Sequence, residues 1–189
     1  LRSSINDLSS SRSPLRRMDS LALWNWGKRN DQTLRRLVLS MKGQKGLECF
    51  RLELVQWLIA RRNWSLEEER KNWVIIPAPS RSEGQKEHAV RLAEEIAKAL
   101  GKEMAQPLLR EANAKVQRRL DRLNRYRSIR SGMQLKLDSK KYSSVLFVDD
   151  IVTTGATAQR ARELLGYPQD FQVWSLARRE EILFDNTKP

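Results

Sequence analysis

Residues 145–157 read Val145-Leu146-Phe147-Val148-Asp149-Asp150-Ile151-Val152-Thr153-Thr154-Gly155-Ala156-Thr157, and the rest of the chain is best understood outward from them. Val145 to Val148 is an unbroken apolar run with β-branched ends, the pattern of a strand buried on both faces. A polar turn is predicted over Asp149–Gly155, then a helix over Ala156–Leu165 that stops at Gly166. The first amides of a helix have no acceptor within the helix, and the positive end of its dipole lies among them. With Thr153, Thr154 and Thr157 adding hydroxyls and Gly155 allowing close backbone approach, the helix start suits a phosphate monoester. Asp149 and Asp150 would repel that phosphate, so they are placed to accept hydrogen bonds from something attached to it, and vicinal sugar hydroxyls fit. A ribose 5-phosphate is the ligand this order implies. The competing reading is a strand and helix whose threonines merely cap the amides, but capping alone requires neither the paired acids nor the third threonine.

The neighbouring segments repeat the alternation. Trp73 to Ile76 is a short strand halted by Pro77-Ala78-Pro79, the loop continues from Ser80 to Lys86, and His88 to Leu100 is the clearest helix. Ala89, Leu92, Ala93, Ile96, Ala97 and Leu100 share one face of it, and Gly101 is its expected C′ residue. Phe171 to Ala177 is a further strand. Leu47 to Arg61 places Leu47, Phe50, Leu54, Trp57, Leu58 and Arg61 at spacings of three and four, the stripe of a helix packed on a sheet. Asp31 to Leu39 has a helical rhythm, so Leu21 to Met41 is expected to lead through a short helix into the globular unit. Strands alternating with helices mean parallel pairing through right-handed crossovers, with ligands at the carboxyl ends of the strands.

Composition bounds the possibilities. A chain of 189 residues, 40% hydrophobic and 31% charged, supports one α/β core, assigned to 21–189. Residues 1–20, with seven serines and four arginines, read as a disordered tail. A net charge of +13 favours polyanionic partners. One cysteine, Cys49, excludes a disulfide framework and a thiolate zinc cluster, and it is expected to pack as a small hydrophobe. His88, the single histidine, has no second nitrogen or sulfur ligand beside it and is expected to begin a helix. No apolar run reaches about 18 residues, and the start of the chain lacks the apolar core of a secretory signal, so the expectation is a soluble, cytoplasmic protein without membrane insertion. There is no G-x-G-x-x-G after a strand and no G-K-[ST], which argues against dinucleotide and P-loop cradles.

The stretch 145–157 resembles the phosphoribosyl diphosphate (PRPP) binding motif of type I phosphoribosyltransferases: four hydrophobic residues, two acids, two hydrophobic residues and a Thr-Gly-centred loop. The resemblance implies a type I phosphoribosyltransferase-like parallel sheet flanked by helices with a basic helical hood. It also implies that Thr153, Thr154, Gly155, Ala156 and Thr157 bind the 5-phosphate and that Asp149 and Asp150 hold the ribose hydroxyls. Relatives that deprotonate a purine often carry an aspartate at the position of Thr153. Threonine is no base at neutral pH, which disfavours a hypoxanthine- or guanine-type acceptor.

Further elements, in order, resemble the ComF family of competence-associated proteins. They are Met41-Lys42-Gly43, Ile76-Pro77-Ala78-Pro79, His88-Ala89, and Lys115, Gln117 and Leu120 followed by Arg125, all within about Asp31 to Ala177. The chain departs from that family at Glu83-Gly84, where Arg-Gly is usual, in a shorter intervening loop and at Ser128, where asparagine is usual; residues 1–20 carry no cysteine, so that family's N-terminal zinc ribbon is expected to be absent. The resemblance implies PRPP or a nucleotide-like ligand, Mg²⁺ carried by the ligand diphosphate, and single-stranded DNA as a further partner. Ala78, Pro79, Ser80 and Arg81 fall at the pyrophosphate loop, with Arg81 the candidate for the departing diphosphate and Lys42 a weaker one.

Between Arg110 and Arg130 stand eight basic residues against Glu111 and Asp121, with Val116, Leu120 and Leu123 at helical spacing. Three readings stay open: a hood closing over the site, a nucleic-acid ridge using Arg118, Arg119, Arg122 and Arg125 with Tyr126 stacking on a base, or a solvated face. The sequence names neither an acceptor nor an oligomeric state.

Overall fold

A computed structural model describes residues 18–26, 50–79, 88–110, 132–136 and 140–179. The elements are β1 (Asp19–Trp26), α1 (Phe50–Arg62), α2 (Leu66–Arg70), β2 (Trp73–Pro77), α3 (His88–Leu100), β3 (Glu103–Met104), β4 (Leu108–Arg110), β5 (Met133–Leu135), β6 (Ser144–Val152), α4 (Ala156–Leu164) and β7 (Asp170–Arg179). Five strands form one sheet in the order β1-β7-β6-β2-β3, every pair parallel. The chain thus has the α/β architecture its alternating segments predict, a parallel sheet flanked by helices. β4 and β5 form a separate antiparallel ribbon.

The central strands are apolar on both sides because both sides are covered. Val145, Phe147, Phe171 and Val173 face the layer containing α4 and the ribbon, through Ala158, Ala161, Leu108 and Met133. Leu146, Val148, Trp174 and Leu176 face the layer of α1 and α3, through Leu54, Val55, Leu58, Leu92, Ala93 and Ile96. Both long crossover helices end as their glycines predict. The amides of Gly101 and Lys102 donate to Lys98 and Ala97, and those of Gly166 and Tyr167 to Glu163 and Arg162, with both glycines left-handed. These are Schellman closures, which a β-carbon disfavours.

Several expectations change. Leu21 to Trp26, expected to lead into a helix, belongs to strand β1, which begins at Asp19 and follows a buried Met18, inside the stretch 1–20 that composition assigns to a tail. Pairing with β7 decides this, since local composition carries no trace of a partner strand far along the chain. Trp57, expected in the core stripe of α1, is 56% exposed, because the buried face is set by Leu54, Val55 and Leu58. The polar turn expected at Asp149 begins later: β6 continues to Val152 because β7 pairs with it to that point. The short α2 is absent from the expected elements, although Ser65 and Glu68 form the capping box that signals a helix start. The expected helix over Asp31–Leu39 lies outside the described residues, as do Leu47 and Cys49.

A polar network closes the amino-terminal pole of the sheet. Arg62 bridges Asp19 and Glu68, Gln172 donates to Glu68, and Lys71 pairs with Asp170. Burial pushes the Glu68 carboxyl up, but the bonds from Gln172, Arg62 and the Ser65 amide outweigh it and hold the group below its ordinary value. The Lys71 bond, aided by Ser144, likewise holds Asp170 low.

Candidate functional site

The crossover from β2 to β3 runs through α3 on one face of the sheet, whereas that from β6 to β7 runs through α4 on the other. β2 and β6 are neighbours, so the connections part at their carboxyl ends and open a crevice there, the place where ligands settle in such sheets. β2 stops first. Its Pro77 pairs with Val148, and the Ala78 amide donates to the Val148 carbonyl at 2.8 Å. β6 then overhangs by four residues, Asp149 to Val152, supported on one side by β7.

The overhang satisfies part of its own backbone. The Asp150 amide donates to Asp149 Oδ1 at 2.9 Å and the Ile151 amide to Asp150 Oδ1 at 2.8 Å. Each carboxylate therefore lies folded against the strand and part-exposed at the crevice. A carboxylate offers about four acceptor directions, so an amide bond does not by itself exclude a ligand hydroxyl. Opposite Asp149 on β7 stands Ser175, and beyond it Ala22 of β1.

Thr153 to Gly155 turn the chain from β6 into α4. Gly155 is the N-cap residue, with φ 73° and ψ 5°, and no side chain caps the helix. Thr154 Oγ1 accepts from the Ala156 amide only at 3.4 Å, a weak contact. The Gln159 amide makes the first intrahelical bond, to the Gly155 carbonyl. Helix geometry leaves the amides of Thr157 and Ala158 without an intrahelical acceptor, and an N-cap glycine supplies none. Thr153 is exposed, Thr154 and Thr157 are half-buried, and Ala156 packs down into the core. No threonine occupies the N-cap position itself.

The structure thus gathers Asp149, Asp150, Thr153, Thr154, Gly155, Ala156 and Thr157 at one sheet edge. Ala78 and Pro79 lie at the end of β2 across the crevice, but the Ala78 amide is taken by Val148 and proline has none. Backbone donors for a diphosphate there must come from Ser80 onward. Ser80 and Arg81 lie outside the described residues, as do Lys42, Arg118, Arg119, Arg122 and Arg125. The ends of the basic segment are described: β4 and β5 pair Arg110 with Met133, so the chain between them leaves and re-enters at one place beside α4. His88 is the first residue of α3, as expected.

Among the described residues no group of three or more His, Cys, Asp or Glu side chains could hold a metal ion, and no helix is long and apolar enough to cross a membrane. No protein-family model and no curated protein matches the chain. Among solved structures it is similar to orotate phosphoribosyltransferase from Aeropyrum pernix, with 22% identity, a TM-score of 0.41, and coverage of 78% of this chain and 66% of that one. It is also similar to purine phosphoribosyltransferase from Pyrococcus horikoshii, with 12% identity, a TM-score of 0.34, and coverage of 86% and 90%. The chain therefore spans just under two thirds of the length of the first.

Proposed function

We propose that the chain is a ComF-like protein of phosphoribosyltransferase type that binds PRPP or a nucleotide-type phosphate at the start of α4 and transfers the phosphoribosyl group to an acceptor. One observation carries the reading: the glycine-capped start of α4 lies beside two carboxylates at the point where the crossovers diverge. The amides of α4 hold the 5-phosphate, helped by the Thr153, Thr154 and Thr157 hydroxyls. Asp149 and Asp150 accept from the ribose hydroxyls and fix the ring against the crevice.

In the reaction the bond from ribose C1 to the diphosphate oxygen breaks and a bond from C1 to the acceptor forms, with pyrophosphate leaving. Positive charge gathers on the ring in between, and carboxylates bonded to its hydroxyls would favour it. Arg81 is assigned to the departing diphosphate. Mg²⁺ would be carried by the diphosphate, where it would neutralise the departing charge. Thr153 is no base, so the acceptor is an amine or a group already ionised.

Thermal shift with PRPP and Mg²⁺ tests the binding step. At 100 times Kd a ligand stabilises by about 2.7 kcal/mol, a rise of several degrees, and Asp149→Ala/Asp150→Ala should abolish it. A wild-type protein indifferent to PRPP, ribose 5-phosphate and inorganic phosphate alike would refute the proposal. Pyrophosphate release with a panel of bases and amines separates a transferase from a PRPP-sensing regulator without turnover. A second reading, non-catalytic handling of single-stranded DNA in uptake, draws on the basic segment rooted in the ribbon beside α4.

A further inference from the structure

Helix α1 buries one side, through Leu54, Val55 and Leu58, and turns the other to solvent. On that outer side Leu52 is 50% exposed and Trp57 56%. Tryptophan carries a large apolar surface, and one left more than half in water is the kind of side chain that protein interfaces bury. Glu53, Trp57 and Arg61 recur every four residues and are all exposed, so they form one ridge along the helix. Arg61 fixes where the ridge lies, because its Nη1 donates to the Leu23 carbonyl of β1 at 3.1 Å. β1 is an outermost strand, paired with β7 alone among the described residues. The ridge therefore borders an open edge of the sheet.

Its charges have an order. Glu53 stands about 6 Å before Trp57 along the helix axis and Arg61 about 6 Å after it. An acid in the first turn and a base in the last also suit the helix dipole, but the dipole asks nothing of the residue between them. Turned end for end, the ridge offers Arg, Trp, Glu where it first offered Glu, Trp, Arg. It is thus complementary to its own two-fold copy, whereas a parallel copy would bring like charges together. Glu53 has no ion-pair partner among the described residues. Ala60, exposed beside the ridge, adds little bulk to hold a second helix away. Strand addition at the same edge is disfavoured, because Arg61 already occupies the Leu23 carbonyl.

We propose that this face joins two copies of the chain, α1 packing on α1 about a two-fold axis at Trp57, with the indoles in contact and Glu53 of each copy paired with Arg61 of the other. Ridges of four-residue spacing on both helices give the commonest helix crossing, at about 50°. One ridge of a 13-residue helix is smaller than the roughly 800 Å² per partner of a stable complex, so the dimer forms at micromolar concentrations and dissociates on dilution. It does not depend on the function assigned to the crevice.

Sedimentation velocity of the full chain, from low to high micromolar concentration, tests the interface. The wild type should pass from monomer toward dimer over that range. Trp57→Ala should weaken association at least about tenfold, and added salt should weaken it as well. Glu53→Arg and Arg61→Glu should each stay monomeric, since each sets like charges together at two places. Mixed in equal amounts they should associate as the wild type does, because one ridge is then basic at both ends and the other acidic at both. Circular dichroism establishes that each variant is folded. If loss of the Leu23 contact unfolds Arg61→Glu, Glu53→Arg must still weaken the dimer more than Glu53→Gln does. A wild type that stays monomeric throughout overturns the inference and leaves the ridge to a different protein or to another segment of the chain. So does a dimer that Trp57→Ala leaves intact, or a mixture of folded variants no more associated than its parts.

Discussion

Replacing Gly155 with alanine separates the backbone requirement of the turn from its binding role. Gly155 has φ 73°, and Gly166, at the far end of the same helix, has φ 76°. An L-residue held in that left-handed region costs about 1–2 kcal/mol. At Gly166 an added β-carbon meets nothing within 4 Å, so the alanine variant there measures the backbone cost alone. For a chain of this size each kcal/mol lowers Tm by about 2–4 °C, and both variants should therefore lose about 2–8 °C by differential scanning fluorimetry. Their ligand affinities should part. Gly166→Ala should bind ribose 5-phosphate as the wild type does. Gly155→Ala sets a methyl group or a relaxed turn at the amides of α4 and should lose at least about tenfold, equivalent to about one charge-assisted hydrogen bond. If Gly155→Ala binds normally, or Gly166→Ala loses as much, the start of α4 is not the phosphate site.

Thr154→Ala should weaken inorganic phosphate measurably by calorimetry, since Thr154 Oγ1 stands at the start of α4, 3.4 Å from the Ala156 amide. Phe147→Ala removes a fully buried ring stacked on Phe171 and should cost about 3–5 kcal/mol by urea denaturation. Asp170 is held below its usual pKa by Lys71, so its contribution is present above about pH 3.8 and disappears as pH falls through its lower folded value. Asp170→Asn should be less stable than the wild type at pH 7, with the gap closing toward pH 2 in thermal melts. If the basic segment binds single-stranded DNA, replacing Arg118, Arg119, Arg122 and Arg125 with alanine should flatten the log–log salt dependence of oligonucleotide affinity by about 0.7 for each phosphate that is no longer neutralised. A dependence already flat in the wild type removes that reading.

What the sequence disclosed follows from which forces were local. α3 and α4 were legible because a helix writes its buried face every three or four residues and its end in a glycine; Gly101 and Gly166 occupy the positions that reading gives them. The cores of β2, β6 and β7 were legible because burial on both faces leaves an apolar run. The extent of β6 was not, since Asp149 and Asp150 resemble turn residues and are strand only because β7 reaches past them. β1 was hidden for the same reason: its partner lies some 150 residues away in sequence. The candidate site divides along this line. Its loop is a contiguous stretch whose residue types announce their chemistry, so 149–157 could be read as a unit. The setting of that loop could not: β6 carries it beyond Pro77 only because β7 pairs with β6 as far as Val152, and nothing in 149–157 names that partner.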